Sequence, residues 1–400
     1  MIRALKTESS FARPRRVWLG ALMAGALAAL AACSGSSDLF NSRPAPGADQ
    51  STAIGSGQIK VGLILPLSAA GNAGLVGQSM KNAAELALAD FKSPNVQLLV
   101  KDGGGNAQGT QQAVQQALDE GAEIILGPLF AHSVGVAGQA ARARNVPVIA
   151  FSTDSSVAAR GVYLLSFLPE SDVDRIVDYA VANGKRSFAA MLPDNSYGTV
   201  VEAAFKQAVA RKGGRIVGLE RYPLDSARMA EPARLVAQAA RGADAIFIPD
   251  GADAVPLVVQ ALTAAGVVPR RIQLLGTALW DDPRIANDAS LQGGWYAAPD
   301  SNGFRGFSAK YRSRFGQDPV RTATLAYDAV ALVAALVKTQ GPQRFSDEVL
   351  TNSSGFAGID GIFRFRSDGT NDRGIAVLRV APAGGQVISP APRSFGASGT

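Results

Sequence analysis

The sequence predicts an α/β protein made of two doubly wound lobes. Three observations carry this reading. From Ile59 onward, short β-rich runs alternate with amphipathic helical stretches. Several runs are almost continuously apolar, as strands of a parallel sheet covered on both faces are. After "GVYLLSFLPESD" the alternation starts again, so the pattern occurs twice. With 400 residues, 47% of them hydrophobic, the chain can bury a large core and fits about two domains.

Ile59–Leu67 ("IKVGLILPL") is the first strand of the alternation, and Gly74–Phe91 the helix after it. "NVQLLV" is the next strand and Asn106–Glu120 the next helix, then strand Glu123–Pro128, helix Ala131–Arg144 and strand Val146–Phe151. The second round reads helix Asp172–Asn183, strand "RSFAAMLP", helix Tyr197–Lys212 and strand "GRIVGLE". It continues with helix Glu231–Arg241, strand "ADAIFIP", helix Ala252–Ala265 and strand "RIQLLG". Helices at Phe304–Phe315 and Thr322–Lys338 come late, long enough to recross into the first lobe, with short β pieces near "GIFRF" and "GIAVLRV". Each half is Rossmann-like. Open α/β sheets bind ligands at the carboxyl ends of their strands, so two facing lobes place a site in the cleft between them.

The N-terminal region reads differently. Arg13, Arg15 and Arg16 precede an apolar run, Val17–Ala32, of signal-peptide length and short of the roughly 20 residues a membrane span needs. The junction Leu30-Ala31-Ala32-Cys33 resembles the bacterial lipobox, which makes Cys33, the only cysteine, the expected lipidation site and residues 1–32 a lipoprotein signal peptide. Ser34 in the next position favours the outer membrane over the inner. Residues 33–58 are the lipidated cysteine and a Ser/Gly/Pro/Ala-rich tether with a root-mean-square span of roughly 25–30 Å. The expected location is the periplasm, on a lipid anchor.

Charge and composition exclude several classes. The whole chain carries +6, but removing residues 1–32 leaves 34 basic and 32 acidic side chains and no basic run, so nucleic acid is not an expected partner. His132 is the only histidine, so a His/Cys metal site cannot be built, and neither metal nor cofactor is expected. "KDGGGNAQGT" lacks the Gly-Lys-Ser/Thr ending of a phosphate loop and does not fit G-x-G-x-x-G, which leaves a plain strand-to-helix turn. No G-x-S-x-G occurs, and Asp281-Asp282 fits a helix N-terminus. No catalytic constellation is found, and the chain is expected not to be an enzyme.

Seven segments in order carry a resemblance: "VGLILPLSAAGNAGLVGQSMKNAAELAL", "EIILGPLFAHSV", "VPVIAFSTDSS", "DNSYGTVVEAAFK", "LLGTALWDDP", "LQGGWYAAP" and "FSAKYRSRFGQDPVRTATLAYDAVAL". Together the chain resembles the type I periplasmic binding proteins of the leucine/isoleucine/valine-binding type, over Ile59 to Val380. That resemblance implies two lobes joined by three hinge crossings, near Leu168–Asp172, Pro299–Gly303 and Thr351–Gly358. It implies residues 59–170 and 301–352 in the first lobe, 171–300 and 353–382 in the second, and a tail at 383–400. It also implies a small-molecule ligand held by helix-start N–H groups, hydroxyls, an aromatic and an acid. Carried over, the loop after "IILGPL" offers Phe130, Ala131 and Ser133, with Ala131 where a serine is usual. The loop after "PVIAF" offers Ser152, Thr153 and Asp154, with Asp154 where a threonine is usual. Tyr197 matches the aromatic. The acid expected after "LLG" falls among Thr277, Ala278 and Leu279, none of them acidic, and Asp250 is the nearest substitute. Asp154 and Asp250 then favour a cationic or hydroxyl-rich ligand over a free carboxylate.

A subgroup of the same fold, the penicillin-binding-protein activator lipoproteins, is similar in "GLILPLS", "ILGPL", "PVIAFS" and "LGTALWDDP". Two readings follow, with different envelope partners. One is an activator of a peptidoglycan synthase in cell-envelope synthesis, favoured by Ser34, the tether and the altered pocket. The other is the substrate-binding receptor of an ABC permease for amino acids or a related small solute.

Overall fold

A computed structural model of the chain describes residues 52–92 and 94–396. Cys33, the signal peptide and most of the tether lie outside the described residues.

The first lobe is built in chain order from β1 (Thr52–Ile54), β2 (Ile59–Leu65), α1 (Asn72–Asp90), β3 (Val96–Asp102), α2 (Ala107–Asp119), β4 (Ile124–Leu126), α3 (Ala131–Arg142), β5 (Val148–Ala150) and β6 (Val162–Leu164). The second follows with α4 (Pro169–Ala182), β7 (Ser187–Pro193), α5 (Ser196–Arg211), β8 (Arg215–Tyr222), α6 (Ser226–Ala239), β9 (Ala245–Phe247), α7 (Val255–Ala264), β10 (Gln273–Gly276), α8 (Pro283–Ala286) and β11 (Trp295–Ala298). The chain then returns through α9 (Ser301–Phe315), α10 (Ala323–Thr339), α11 (Asp347–Leu350), β12 (Phe356–Gly358), β13 (Gly361–Phe365) and β14 (Asn371–Arg373), and ends in β15 (Ala376–Ala381) and β16 (Gly384–Ser389).

The two main sheets have orders β1-β3-β2-β4-β5-β6 and β16-β15-β11-β10-β9-β7-β8. Strands β2 to β6 pair in parallel, as do β7 to β11. In each parallel part the first strand lies second from one edge, and the chain winds one way to the second strand, then the other way to the rest. The order therefore reverses between β2 and β4 in one lobe and between β7 and β9 in the other, and the crevice at such a point is where open sheets accept ligands.

The apolar runs become the core as their pattern requires. Val61, Leu63, Leu98, Ile124 and Ile149 are buried on one face of the first sheet against Met80 and Ala84 of α1 and Ala326, Ala329 and Val330 of α10. The opposite face takes Ile64, Ile125 and Val148 against Ala113 and Ala117 of α2 and Val134 and Ala137 of α3. In the second lobe Phe205 stacks on Phe247 at 4.6 Å, and Phe188 meets it edge-on at 6.0 Å. The late helices do recross: Phe307 and Tyr311 of α9 pack with Ala83 and Leu86 of α1.

The lobes are linked where β6 leads to α4 through Leu165–Leu168, where β11 leads to α9 through Pro299–Asp300, and where β14 leads to β15 through Gly374–Ile375. The last of these differs from the Thr351–Gly358 expected. Strands β12–β14 form a small antiparallel sheet that stays with the first lobe. Phe363 and Phe365 enter the first lobe's core, with Phe365 5.3 Å from Tyr163, and the Asn371 amide donates to the Leu164 and Ser166 carbonyls at 2.6 and 3.0 Å. Two other boundaries move. Residues 52–54, assigned to the tether, pair antiparallel with Leu98–Val100, and residues 384–389, assigned to a tail, pair antiparallel with β15.

The glycine-rich stretch after β3 is a turn. Asn106 Oδ1 accepts the Gly109 N–H at 2.8 Å and caps α2. Asn106→Ala should lower stability by about 1 kcal/mol, read as a lowered urea midpoint with an unchanged denaturant slope; an unaltered midpoint would remove the cap from the account.

Candidate functional site

The first lobe's wall is built at the start of α3. Gly127 has φ +95°, and a Cβ there would lie 2.1 Å from the Ile64 carbonyl oxygen, so β4 turns sharply against β2 only because this residue is glycine. Phe130 is extended and precedes the first helical residue, Ala131. The Phe130 carbonyl accepts the Ser133 and Val134 N–H groups at 2.9 and 3.2 Å. Ser133 is buried and its hydroxyl has no hydrogen-bond partner. His132 is exposed, stacks on Phe130 at 5.7 Å, and its Nε2 lies 3.1 Å from the Gly105 carbonyl oxygen. It buttresses the loop after β3 against the helix start.

The loop after β5 is mostly capping. Ser152 is buried and its Oγ accepts the Asp154 N–H at 3.1 Å, while Thr153 is exposed. Asp154 Oδ1 accepts both the N–H and the hydroxyl of Ser156, at 3.0 and 2.6 Å, and caps the short turn Ser155–Val157. Its Oδ1 is engaged by its own loop, and no ion pair neutralises its charge among the described residues.

The second lobe's wall centres on Tyr197, in the first turn of α5. Asn195 caps that helix through Gly198 N–H at 2.8 Å. A Cβ on Gly198 would come within 1.8 Å of the Pro193 carbonyl oxygen, so glycine lets α5 start directly against β7. The Tyr197 hydroxyl and Thr277 Oγ1 are 3.0 Å apart. Thr277 is fully buried at the end of β10, and burial raises the Tyr197 phenol above its ordinary range. Asp250, after β9, accepts the Tyr222 hydroxyl and the Gly251 N–H, each at 2.7 Å. These bonds hold Asp250 to its own lobe's framework.

An acid from elsewhere in the chain does stand at the loop after "LLG". Asp172, in the first turn of α4, accepts the Ala278 N–H through Oδ2 at 3.1 Å. Its carboxylate therefore sits beside Thr277 and Tyr197, brought there from 106 residues upstream. Burial pushes its pKa from 3.8 to about 7, against the Ala278 hydrogen bond and the charge of Arg373, with Glu170 adding to the rise. Glu170 takes the Ser155 hydroxyl at 2.5 Å, which links α4 to the loop after β5. Asp282 caps α8, as its place before Pro283 suggests. Concavities of about 630 Å³ beside Arg142 and Asp347, and about 550 Å³ beside Ile54 and Arg314, lie elsewhere on the first lobe and gather none of these groups.

Two doubly wound lobes joined by three crossings meet the expectation drawn from the sequence motifs. Residues 58–386 match the model of the periplasmic binding proteins. The chain belongs to the periplasmic-binding-protein family. That family is one of ligand-binding, non-enzymatic proteins of the periplasm. Among solved structures, an ABC transporter substrate-binding protein from Sphaerobacter thermophilus is similar at a TM-score of 0.67 and 22% identity, covering 84% of this chain and 98% of that one. A branched-chain amino acid ABC transporter periplasmic ligand-binding protein from Burkholderia xenovorans LB400 gives 0.67 and 19%, covering 85% and 97%. A solute-binding protein of an ABC transporter from Rhodopseudomonas palustris BisB5, in complex with 3,4-dihydroxybenzoic acid, gives 0.59 and 21%, covering 84% and 97%. At these identities the likeness is one of fold. The curated relative RP748 of Rickettsia prowazekii, described as uncharacterized, is 22% identical over 165 residues, so the match spans 43% of that protein's length.

Proposed function

We propose that this periplasmic binding protein is a lipid-tethered receptor that closes its lobes on a small polar solute and presents it to an ABC permease. The observation that carries the reading is the Asp172 carboxylate at Ala278 N–H, beside Tyr197 and Thr277. Without it the second lobe's wall offers a hydroxyl pair and no acid in the expected place; with it the wall can hold an ammonium or hydroxyl of a ligand. On the first lobe the start of α3 offers Phe130, Ala131 and the idle Ser133 hydroxyl, and Ser152 and Thr153 lie on the neighbouring loop. Closure needs a ligand that favours the closed form by its own contacts, and groups on both walls supply such contacts.

Asp172→Asn should weaken the ligand by roughly 10- to 100-fold, the range for a hydrogen bond to a charged group. A thermal-shift screen of the full chain against the natural amino acids and muropeptide fragments identifies the ligand first, since only a compound that prefers the native state raises the midpoint. Titration calorimetry on the variant then reads the loss. An amino acid that binds the variant as well as the parent chain removes Asp172 from the site.

The activator of a peptidoglycan synthase is the second reading, and Ser34 after Cys33 favours it through an outer-membrane anchor. A muropeptide hit, or silence across the amino acids with capture of a synthase, would select it. Both readings share the anchor. Cys33→Ser should move the protein from the membrane fraction to the soluble periplasmic fraction, and a variant that stays with the membranes would end the lipobox assignment.

A further inference from the structure

The second lobe ends, away from the cleft, in a base formed by the amino ends of its parallel strands. Arg186 leads into β7, Arg215 opens β8, Arg241 shortly precedes β9, and Arg270 and Arg271 lead into β10. Arg379 lies on β15 opposite Trp295, the first residue of β11. All six arginines are exposed. The strand order β15-β11-β10-β9-β7-β8 spreads them across about 24 Å, five spacings of about 4.8 Å.

Little on this base neutralises them. Arg211 and Lys212, at the end of α5, are matched by Asp174 and Asp178 of α4, each at 2.5 Å, but among the described residues none of the six arginines has an ion pair. The Arg186 guanidinium donates to the Lys212 carbonyl at 3.3 Å and that of Arg379 to the Gln386 amide oxygen at 2.6 Å. Of the acids on these loops, Asp244 accepts the Arg186 and Ser187 N–H groups, both at 2.8 Å, and Asp288 accepts from Ser290. The same end of the first lobe differs: Arg144, Arg160 and Arg344 meet Asp119, Asp347 and Glu123 at 2.9, 2.9 and 3.7 Å. Between Arg270 and Arg379 the second lobe's base is hollowed by about 460 Å³, with Gln273 and Gln292 in the lining and no acid. Val268, two residues before Arg270, is 51% exposed.

Cations spread over that width, with an apolar side chain among them, suit a surface of many phosphates better than one small anion. The N-terminal segment can bring such a surface to this side. Thr52 pairs with Val100 and Ile54 with Leu98, so β1 starts toward the carboxyl end of β3, the cleft end of the first sheet. By composition, residues 34–51 read as a linker spanning roughly 20–25 Å. The seven residues of β7 set the depth of the second lobe's sheet, from cleft to base, at roughly 23 Å. An anchor at the end of that linker can therefore lie level with the base.

We infer that the base of the second lobe docks on the anionic phosphate surface of the membrane that holds the anchor. This goes beyond the receptor reading and rests on the Cys33 anchor proposed with it. Attraction of this kind fades within a Debye length, so the docking is salt-sensitive.

The test uses the full lipidated chain in vesicles of phosphatidylcholine alone or with 30 mol% phosphatidylglycerol, an amount on the order of a bacterial anionic lipid surface. A fluorescent donor goes on Gly242→Cys, on the base, where a Cβ meets nothing within 4 Å, and acceptors go on the lipid headgroups. Energy transfer should be strong on the anionic vesicles, weak on the neutral ones, and lost on raising the salt. Arg270→Gln/Arg271→Gln should lower the ratio of docked to undocked chains by roughly 10- to 100-fold, while Arg142→Gln/Arg144→Gln on the first lobe should leave it unchanged. Equal transfer on the two lipid compositions overturns the docking, as does an Arg270→Gln/Arg271→Gln chain that docks like the parent; an acidic protein surface is then the partner to seek. Flotation judges the anchor separately. A parent chain that floats with neutral vesicles keeps the anchor whatever the donor reports. One that floats only with anionic vesicles, and no longer after Arg270→Gln/Arg271→Gln, loses the anchor and keeps the docking. One that floats with neither loses both.

Discussion

Arg321→Met should destabilise the protein by about 3 kcal/mol, since the buried Asp360 loses its cation although Arg321 itself is 38% exposed. Asp360 is wholly buried and receives the Arg321 nitrogens at 2.9 and 2.6 Å and the Thr324 hydroxyl at 2.6 Å. The Arg321 guanidinium also lies over Phe167, on the first crossing, and Phe304, just after the second, at 4.8 and 4.6 Å. One cation thus touches both crossings and the turn between β12 and β13. Removing it leaves a buried carboxylate with a hydroxyl as its sole donor. The double variant Arg321→Met/Asp360→Leu should recover part of the loss, because no unpaired charge then remains. Urea denaturation of the parent chain, the two single variants and the double variant decides it. A double variant as unstable as the sum of its parts would mean that the rings, and not the ion pair, carry the energy.

Between about pH 4 and pH 7 Asp328 should withdraw stability as the pH rises, and Asp328→Asn should remove that contribution. Asp328 lies on α10, buried, with Oδ1 accepting the Ile359 N–H at 2.8 Å and Oδ2 without a partner. A Cβ on Gly358 would fall 2.3 Å from that oxygen, so the acid is packed directly against backbone. Burial pushes its pKa from 3.8 to about 7, with Asp360 adding to the rise and Arg373, the Ile359 N–H and Arg321 opposing it. The folded chain therefore keeps a proton that the unfolded chain releases from about pH 4 upward. Stability falls with pH until the folded group also ionises near 7, a fall on the order of 4 kcal/mol. The amide variant should match the parent chain near pH 4 and exceed it at pH 8. A gap that is the same at both values would show that Asp328 does not titrate in this window.

Much of the fold was legible because it rests on local pattern. Runs such as "KVGLIL" and "SFAAML" can only be strands buried on both faces, and their alternation with helices dictates parallel sheets. Boundaries set by tertiary contact were not. "GIFRF" was readable as a strand, but its attachment to the first lobe depends on Tyr163 and Leu164, some 200 residues earlier in the chain, in place of any neighbour. Residues 52–54 read as tether because three residues are too few to show a period.

The site was legible in part for the same reason. Loops that follow strands reveal themselves in sequence, and the resemblance put Phe130, Tyr197 and Thr277 forward as candidates there. Asp172 gives no local sign. It reads as an ordinary acid at a helix start. Its meaning comes only from where the first crossing brings it. Asp154 shows the reverse: it occupies a conspicuous position, yet its own loop takes up Oδ1.

The short pairing of β1 with β3 has a mechanical consequence. Among the described residues it joins Thr52–Ile54 to the first lobe, by three paired residues at the rim of a sheet. A pull on the chain before Thr52 is thus borne by the first lobe, and the second is free to swing about the crossings under no load. The clasp would peel before tension could reach the hinge, so traction from an anchor neither forces the jaws open nor holds them shut.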